Sequence, residues 1–338
     1  IERETAGGTD RSAAYFHGAN RGKRSIALDL KAPGDRDVLL ALTDRADVMI
    51  ENFKLGGLAK MGLDHASLSA RNPGLITCSI TGFGQTGPRA ADAGYDFMIQ
   101  GLAGIMDLTG EPDDRPGGGP QKIGVAFADV FTGLYGVIAI QAALAQRAIT
   151  GQGQHIDMAL MDAMTGVLAN QAMNYFATGS SPTRLGNAHP NIVPYQVFAC
   201  RDGHLIVACG NDGQFRRLCD VLDRPGLAED PRHATNAARV AARDALVPEI
   251  AAAIAGWERD ALIAALTQAT VPAGPINTVA EAMNDPQIVH RGMVVRPDGV
   301  PGLRSPMVFS QSALALDRPS PALDEHREEI LAELGLQA

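Results

Sequence analysis

At 338 residues the chain is longer than one hydrophobic core usually supports, so two domains are expected. Hydrophobic residues make up 46% and charged residues 20%, enough apolar material for a packed core. The net charge of −9, with no basic block, argues against nucleic acid or an anionic membrane surface as the main partner, while leaving room for an anionic small molecule held by a few local cations.

In chain order, Ser25–Leu30 predicts a strand, and Pro33-Gly34 open a helix from Asp35 to Arg45 with Val38, Leu39 and Leu42 on one face. Asp47–Ile50 is a short apolar strand followed by the turn-rich Asn52–Gly57, and Leu75–Ile80 is a further strand between Asn72-Pro73 and Gly82. This alternation predicts an α/β fold with a mainly parallel, Rossmann-like sheet in the larger domain. A Pro- and Gly-rich loop, Glu111–Pro120, precedes helices expected from Asp129 to Gln146 and from Ile156 to Tyr175. Tyr195–Cys200 and His204–Cys209, around an Asp202-Gly203 turn, signal a hairpin. Leu246, Ile250 and Ile254, four apart, mark a helix from Leu246 to Trp257, and a last helix runs from Glu325 to Leu334 after Asp324 as its cap. The expected domains are 1–190 (large, α/β), 191–280 (smaller, α+β) and 281–338, returning to the large domain.

No apolar run reaches the length of a membrane span; Val125–Ala145 is interrupted by Asp129 and Thr132 and reads as a buried helix. Cys78, Cys200, Cys209 and Cys219 contain no CxxC pair and read as reduced thiols of a cytoplasmic protein. The eight histidines show no i, i+4 pair, so no metal site is expected. A GxSxG nucleophile elbow is also absent. Gly82-Phe83-Gly84-Gln85-Thr86-Gly87 fits GxGxxG, but Pro88, Arg89 and more loop follow where a dinucleotide fingerprint needs a helix, so a glycine loop near a ligand or a plain turn is the better reading. His189, before Pro190, reads as a hydrogen-bonded loop histidine. Asp129 stands out as a carboxylate inside the apolar run Ile123–Gly133. Burying a charge is costly unless something satisfies it, and a helix N-terminus can do so; taken alone, the segment suits an N-cap aspartate as well as a functional one.

Six segments, in order along essentially the whole chain, resemble the CaiB/BaiF family, the class III CoA transferases: Asn20–Lys31, Ala46–Phe53, Gly82–Pro88 with Gly94-Tyr95-Asp96, Leu108–Pro112, Gly151–Asp157 and Val271–Ile276. The resemblance implies an interlocked homodimer that moves coenzyme A, delivered as an acyl-CoA, to a small carboxylic acid, without metal. It implies Asp129 as nucleophile, forming aspartyl anhydride and aspartyl-CoA intermediates, with Tyr95 and Asp96 as its active-site neighbours. It also implies Arg3, Leu28, Lys31, Asn52, Phe53, Lys60 and Met61 as CoA-binding positions; Lys60 replaces an arginine of the family and loses its bidentate fork. Arg89, Arg184 and His189 are candidates for holding a second carboxylate of a dicarboxylic substrate.

Two departures from the family pattern stand out. Gly186–Asn191 is not the glycine run that closes over the intermediate in related transferases, and family chains carry a further segment before the position matching Ile1, so a preceding segment is expected here. The rival readings are an α-methylacyl-CoA racemase and a CoA-binding protein without activity. A racemase needs two acid/base groups, and this chain has Tyr95 where the racemases carry histidine and Asn211 where they carry a glutamate.

Overall fold

The computed structural model describes residues 2–5 and 8–336, with side chains from residue 12 onward. Its contacts divide the chain into two compact units. One holds the chain up to Ala93, Thr132–Ala159 and the chain from Thr278; the other holds Gly94–Phe131 and Leu160–Asn277.

The first unit begins with an antiparallel pair, β1 (Glu2–Thr5) and β2 (Gly8–Arg11). Its central sheet is parallel, in the order β3 (Val48–Glu51), β4 (Ile76–Thr81), β5 (His155–Ala159). Helix Pro33–Arg45 starts with proline in its first turn, where a missing N–H costs nothing. Leu58, Leu63, Leu68 and Leu75 form a buried cluster against which Leu39, Leu40 and Met49 pack. Strand β5 takes the place of the first part of the helix expected from Ile156. His155, Ile156, Asp157 and Met158 alternate in exposure, and strand pairing to β4 uses that period of two. Only glycine fits just before it: a Cβ on Gly153 would lie 2.1 Å from the Leu75 carbonyl oxygen.

Ser25–Leu30 is irregular rather than a strand, because side chains instead of a neighbouring strand take its backbone groups. Ala27 N–H donates to Asp324 Oδ1 (2.8 Å) and Asp29 N–H to Asp35 Oδ2 (2.7 Å). Asp324 is therefore occupied with Ala27 and Arg327, and it does not cap the terminal helix Arg327–Leu334, whose N-cap position is His326.

The second unit carries an antiparallel sheet, β6 (Tyr195–Cys200), β7 (Gly203–Ala208) and β8 (Ala273–Pro275). Leu205 and Val207 of β7 point into a core shared with Phe215 and Leu218 of helix Asp212–Val221 and with Leu246, Ile250 and Ile254 of helix Arg243–Ile254. Arg239 is fully buried there, donating to the carbonyls of Val193 (2.7 Å) and His233 (2.9 Å) and to Asp212 Oδ1 (2.8 Å). Asn211 accepts from Gln214 N–H and caps helix Asp212–Val221. The long segment after β5 splits into helices Leu160–Gly166 and Ala169–Thr178.

Helix Phe127–Thr150 is longer than expected at both ends and is not a buried helix. By length and composition it could cross a membrane, and only 22% of its most apolar window is buried within the chain. Leu134, Val137 and Ile138 all stand exposed on it. Apolar composition signals that a face will be covered, not that the same chain covers it.

Candidate active site

The first turn of helix Phe127–Thr150 is arranged by a second helix, Asp96–Leu102. Asp96 Oδ2 accepts the backbone N–H of Ala128 (2.8 Å) and of Asp129 (3.3 Å), which is the work of an N-cap. The capping alternative for Asp129 is thereby removed: another residue caps the helix, and the Asp129 carboxylate is exposed and makes no hydrogen bond or ion pair among the described residues. Partial desolvation, and secondarily the charge of Asp96, raise the Asp129 carboxyl above the ordinary carboxylate range.

Gln100, fully buried one turn after Asp96, holds this arrangement. Its Nε2 donates to Asp96 Oδ1 (2.7 Å) while its Oε1 accepts from Ile123 N–H (3.0 Å), fixing the approach to the helix start. Tyr95, at the N-cap position of helix Asp96–Leu102, is 71% exposed and bonds to neither aspartate through its hydroxyl. The four cysteines do not compete as nucleophiles. The thiols of Cys209 and Cys219 are buried and pushed up to about 12 and about 11, and Cys78 and Cys200 are raised as well.

In the first unit a cavity of about 400 Å³ opens over one face of the parallel sheet. Two cross-strand rows face the same way: Met49, Thr77 and His155, then Glu51, Ser79 and Asp157. All but Asp157 line the cavity, and Phe53, Lys54 and His65 complete its chemically distinctive wall. The face of a parallel sheet is ordinarily apolar where it is covered, so a polar row over a cavity marks a ligand site rather than a core. The glycine loop 82–87 runs beside it without opening a helix, and Asp157 Oδ2 accepts Gln85 N–H (2.9 Å). Gly84 and Gly87 adopt φ of +85° and +94°, where a side chain would be strained.

The family model for CoA-transferase family III matches residues 2–327. The chain is 54% identical to the succinate–glutarate CoA-transferase of Agrobacterium fabrum over 98% of its own length and 83% of that protein's. It is 40% identical to the acetyl-CoA:oxalate CoA-transferase of Acetobacter aceti over 92% of its length and 79% of that protein's. Among solved structures, a CaiB/BaiF family protein from Brucella suis is similar with a TM-score of 0.87 and 61% identity, covering 98% of this chain and 86% of that one. The chain belongs to CoA-transferase family III. Its mixed α/β fold with a parallel sheet is that of the family, and it is a CoA-transferase, which sets aside the racemase and the inactive binder.

The CoA-binding positions implied by this family III membership are placed unevenly. Phe53 lines the cavity, its N–H donating to Glu51 Oε2 (2.6 Å), and Asn52 beside it is exposed without lining it. Lys60 is exposed on the short 3₁₀ helix Ala59–Met61, next to cavity-lining Ala59, while Met61 packs against the Leu58–Leu75 cluster. Leu28 is half-buried in the irregular segment, and Lys31 is exposed one residue after it ends. Arg3 lies on β1, and its side chain is outside the described residues.

Of the candidates for a second carboxylate, Arg184 is already committed to Asp107 (2.6 Å) and Asp113, so the structure withdraws it. Arg89 pairs with Asp92 (3.0 Å) over the Phe83 ring, and His189 Nδ1 accepts from Asn191 N–H (3.1 Å) as a loop histidine does. Gln100, His65, Thr77, His155 and Asp157 are site residues that the sequence reading did not single out. Gln100 had a usable signal, four residues after Asp96 on one helix. The others carry none, because their juxtaposition depends on the register of β3, β4 and β5.

Proposed function

We propose that this family III CoA-transferase moves CoA between dicarboxylic acids, with a succinyl-CoA-like donor and a glutarate-like acceptor, through covalent intermediates on Asp129. The carboxylate attacks the thioester carbonyl of the acyl-CoA; the carbon–sulfur bond breaks, leaving an aspartyl–acyl anhydride and CoA thiolate. The thiolate attacks the aspartyl carbonyl and expels the donor acid, giving aspartyl-CoA. The acceptor carboxylate then displaces the thiolate to form a new anhydride, and thiolate attack on its acyl carbonyl yields the new thioester and frees Asp129. Every step exchanges one activated acyl bond for another, so no external energy source is needed.

The observation that carries this reading is the unpartnered Asp129 carboxylate, held at a helix start whose capping has been taken over by Asp96. The substrate class is supported by similarity to transferases named for succinate, glutarate and oxalate. Tyr95, exposed at the same helix start as Asp96, is an active-site neighbour in this reading. Two copies interlocking would cover Leu134, Val137 and Ile138, and free Cys78, Cys200, Cys209 and Cys219 suit a cytoplasmic protein. Light scattering should give a dimer; a monomer at micromolar concentration contradicts this part.

The deciding assay pools several acyl-CoA donors with several carboxylic acids and detects new CoA thioesters by mass spectrometry. Wild type should form glutaryl-CoA from succinyl-CoA, and Asp129→Ala should form none. Equal exchange by both proteins overturns the role of Asp129, and exchange confined to monocarboxylic acids overturns the substrate class.

A further inference from the structure

A dicarboxylic substrate brings a second, unreacting carboxylate to a site that is already negative. In Gly94–Phe131, the segment that carries Tyr95, Asp96 and Asp129, there are six carboxylates and two cations, Arg115 and Lys122. Asp107 and Asp113 are neutralised by Arg184, whereas Asp96 and Asp129 have no ion-pair partner among the described residues. A substrate carboxylate beside them needs a cation, since like charges at close range repel. Arg184 is spent on its two aspartates and Arg89 on Asp92, and His189 is engaged with Asn191. The Lys122 ammonium, by contrast, forms no ion pair and no hydrogen bond among the described residues. It lies over the Phe97 ring, 6.0 Å from the ring centre.

Lys122 is held in place from both sides. The N–H of Gln121 donates to the carbonyls of Thr109 (2.8 Å) and Met106 (3.3 Å), and the N–H of Ile123 donates to Gln100 Oε1 (3.0 Å). Gln100 in turn donates to Asp96, which caps the helix at Asp129. Two side chains therefore tie the position of Lys122 to that of the nucleophile. The surface between them is apolar: Phe97 directly follows Asp96 and is exposed, and Val125, between Lys122 and Asp129 in the chain, is exposed too. A cation, an apolar stretch and a nucleophile match, in that order, a carboxylate, a short methylene chain and a reacting carboxyl. Arg115 has no such link. It sits in a turn of the Glu111–Pro120 loop, its N–H bonded to the Pro112 carbonyl (3.1 Å).

We propose that Lys122 selects dicarboxylic substrates by pairing with the carboxylate that does not react, while Asp129 exchanges at the other end. Donor and acceptor use the same ammonium in turn, because each occupies the site as an acyl group on Asp129 with its far carboxylate free. A monocarboxylic acid of the same length fills the apolar stretch and leaves Lys122 unpaired. The proposal rests on the dicarboxylate reading of the transferase, and its test separates the two.

The test compares kcat/KM for glutarate with kcat/KM for pentanoate, its five-carbon monocarboxylic counterpart, using one acyl-CoA donor throughout so that effects on the donor cancel in the ratio. Wild type should favour glutarate. Lys122→Met, which keeps an unbranched apolar stem but no charge, should lower the ratio about tenfold, chiefly through the KM for glutarate. Lys122→Arg should restore most of the preference, and Arg115→Met should leave the ratio as in wild type. Amine labelling with an N-hydroxysuccinimide ester, read on the peptide carrying Lys122, needs no turnover: glutarate should slow it and pentanoate should not. A wild type that takes pentanoate as readily as glutarate refutes the dicarboxylate reading and the proposal with it. A glutarate preference that survives Lys122→Met, or that Arg115→Met removes instead, overturns the proposal and leaves that reading intact. Lys122 labelling that glutarate does not slow overturns it as well.

Discussion

The two sheets of the molecule obey different rules. In the antiparallel sheet of the second unit, β7 alternates as strand geometry requires: Leu205 and Val207 are buried, His204 and Ile206 are exposed, and the inner face meets Phe215, Leu246 and Ile250 in a continuous core. In the parallel sheet of the first unit, the face toward the cavity carries Thr77, His155, Glu51 and Ser79. The first pattern is what burial alone selects. The second departs from it in adjacent rows across three strands, and a departure so localised points to ligand chemistry rather than folding. Asp129 shows the same contrast on a smaller scale: its neighbour Asp96 is consumed in hydrogen bonds from Gln100, Ala128 and Asp129 that build the helix start, while the Asp129 carboxylate itself is left idle.

Substitutions should therefore sort into those that cost activity and those that cost stability. The largest effect is expected for Asp129→Ala, which should lower kcat by about three orders of magnitude or more in a steady-state exchange assay while CoA still binds. Ile250→Ala, in the core of the second unit, should do the reverse. It should lower unfolding free energy by about 2–5 kcal/mol in a denaturant titration, with little change in kcat below the transition. Gln100→Leu should cross the boundary, leaving Asp96 and the Ile123 N–H each short of a buried partner at a cost of about 1–3 kcal/mol and also lowering kcat, because the helix start loosens.

The smallest effects are in pH. Asp129 attacks as the anion and its pKa is raised, so kcat should fall on the acid side at a higher pH than an ordinary carboxylate would give. Asp96→Asn removes the secondary cause and should move that limb down only partly, since desolvation remains. The linkage has the corresponding sign. A carboxyl whose folded pKa is raised favours the folded state when protonated, and that contribution is lost as pH rises through the folded pKa. Asp129→Asn should accordingly stabilise the protein at neutral pH, by about 0.5 kcal/mol or less because solvent screens the exposed group, as a thermal melt would register.

Much of the fold is legible in the sequence alone. The strand at Val48–Glu51, the hairpin around Asp202 and the helix through Leu246, Ile250 and Ile254 follow from periodicity and turn residues, because each is decided by local sequence. Ser25–Leu30 misleads because its backbone groups are satisfied by Asp324 and Asp35, partners that no window around the segment contains. The helix expected from Ile156 misleads because a parallel strand pairs only with residues far away in sequence, and Thr77 is 78 positions from His155. At the candidate site Asp129 can be singled out as a charge in an apolar run. That it is not the cap depends on Asp96, 33 positions earlier. The apolar run itself is legible too, but whether its exposed face is covered by this chain or another is a matter of surfaces, not of windows.

The measurement that bears most directly on the central claim is to mix the protein with succinyl-CoA alone, quench in acid, and map covalent CoA by peptide mass spectrometry. A CoA adduct is expected on the peptide carrying Asp129, sensitive to hydroxylamine, missing in Asp129→Asn and chased by added glutarate. A CoA adduct on any other residue, or exchange at the wild-type rate in Asp129→Asn, would contradict it.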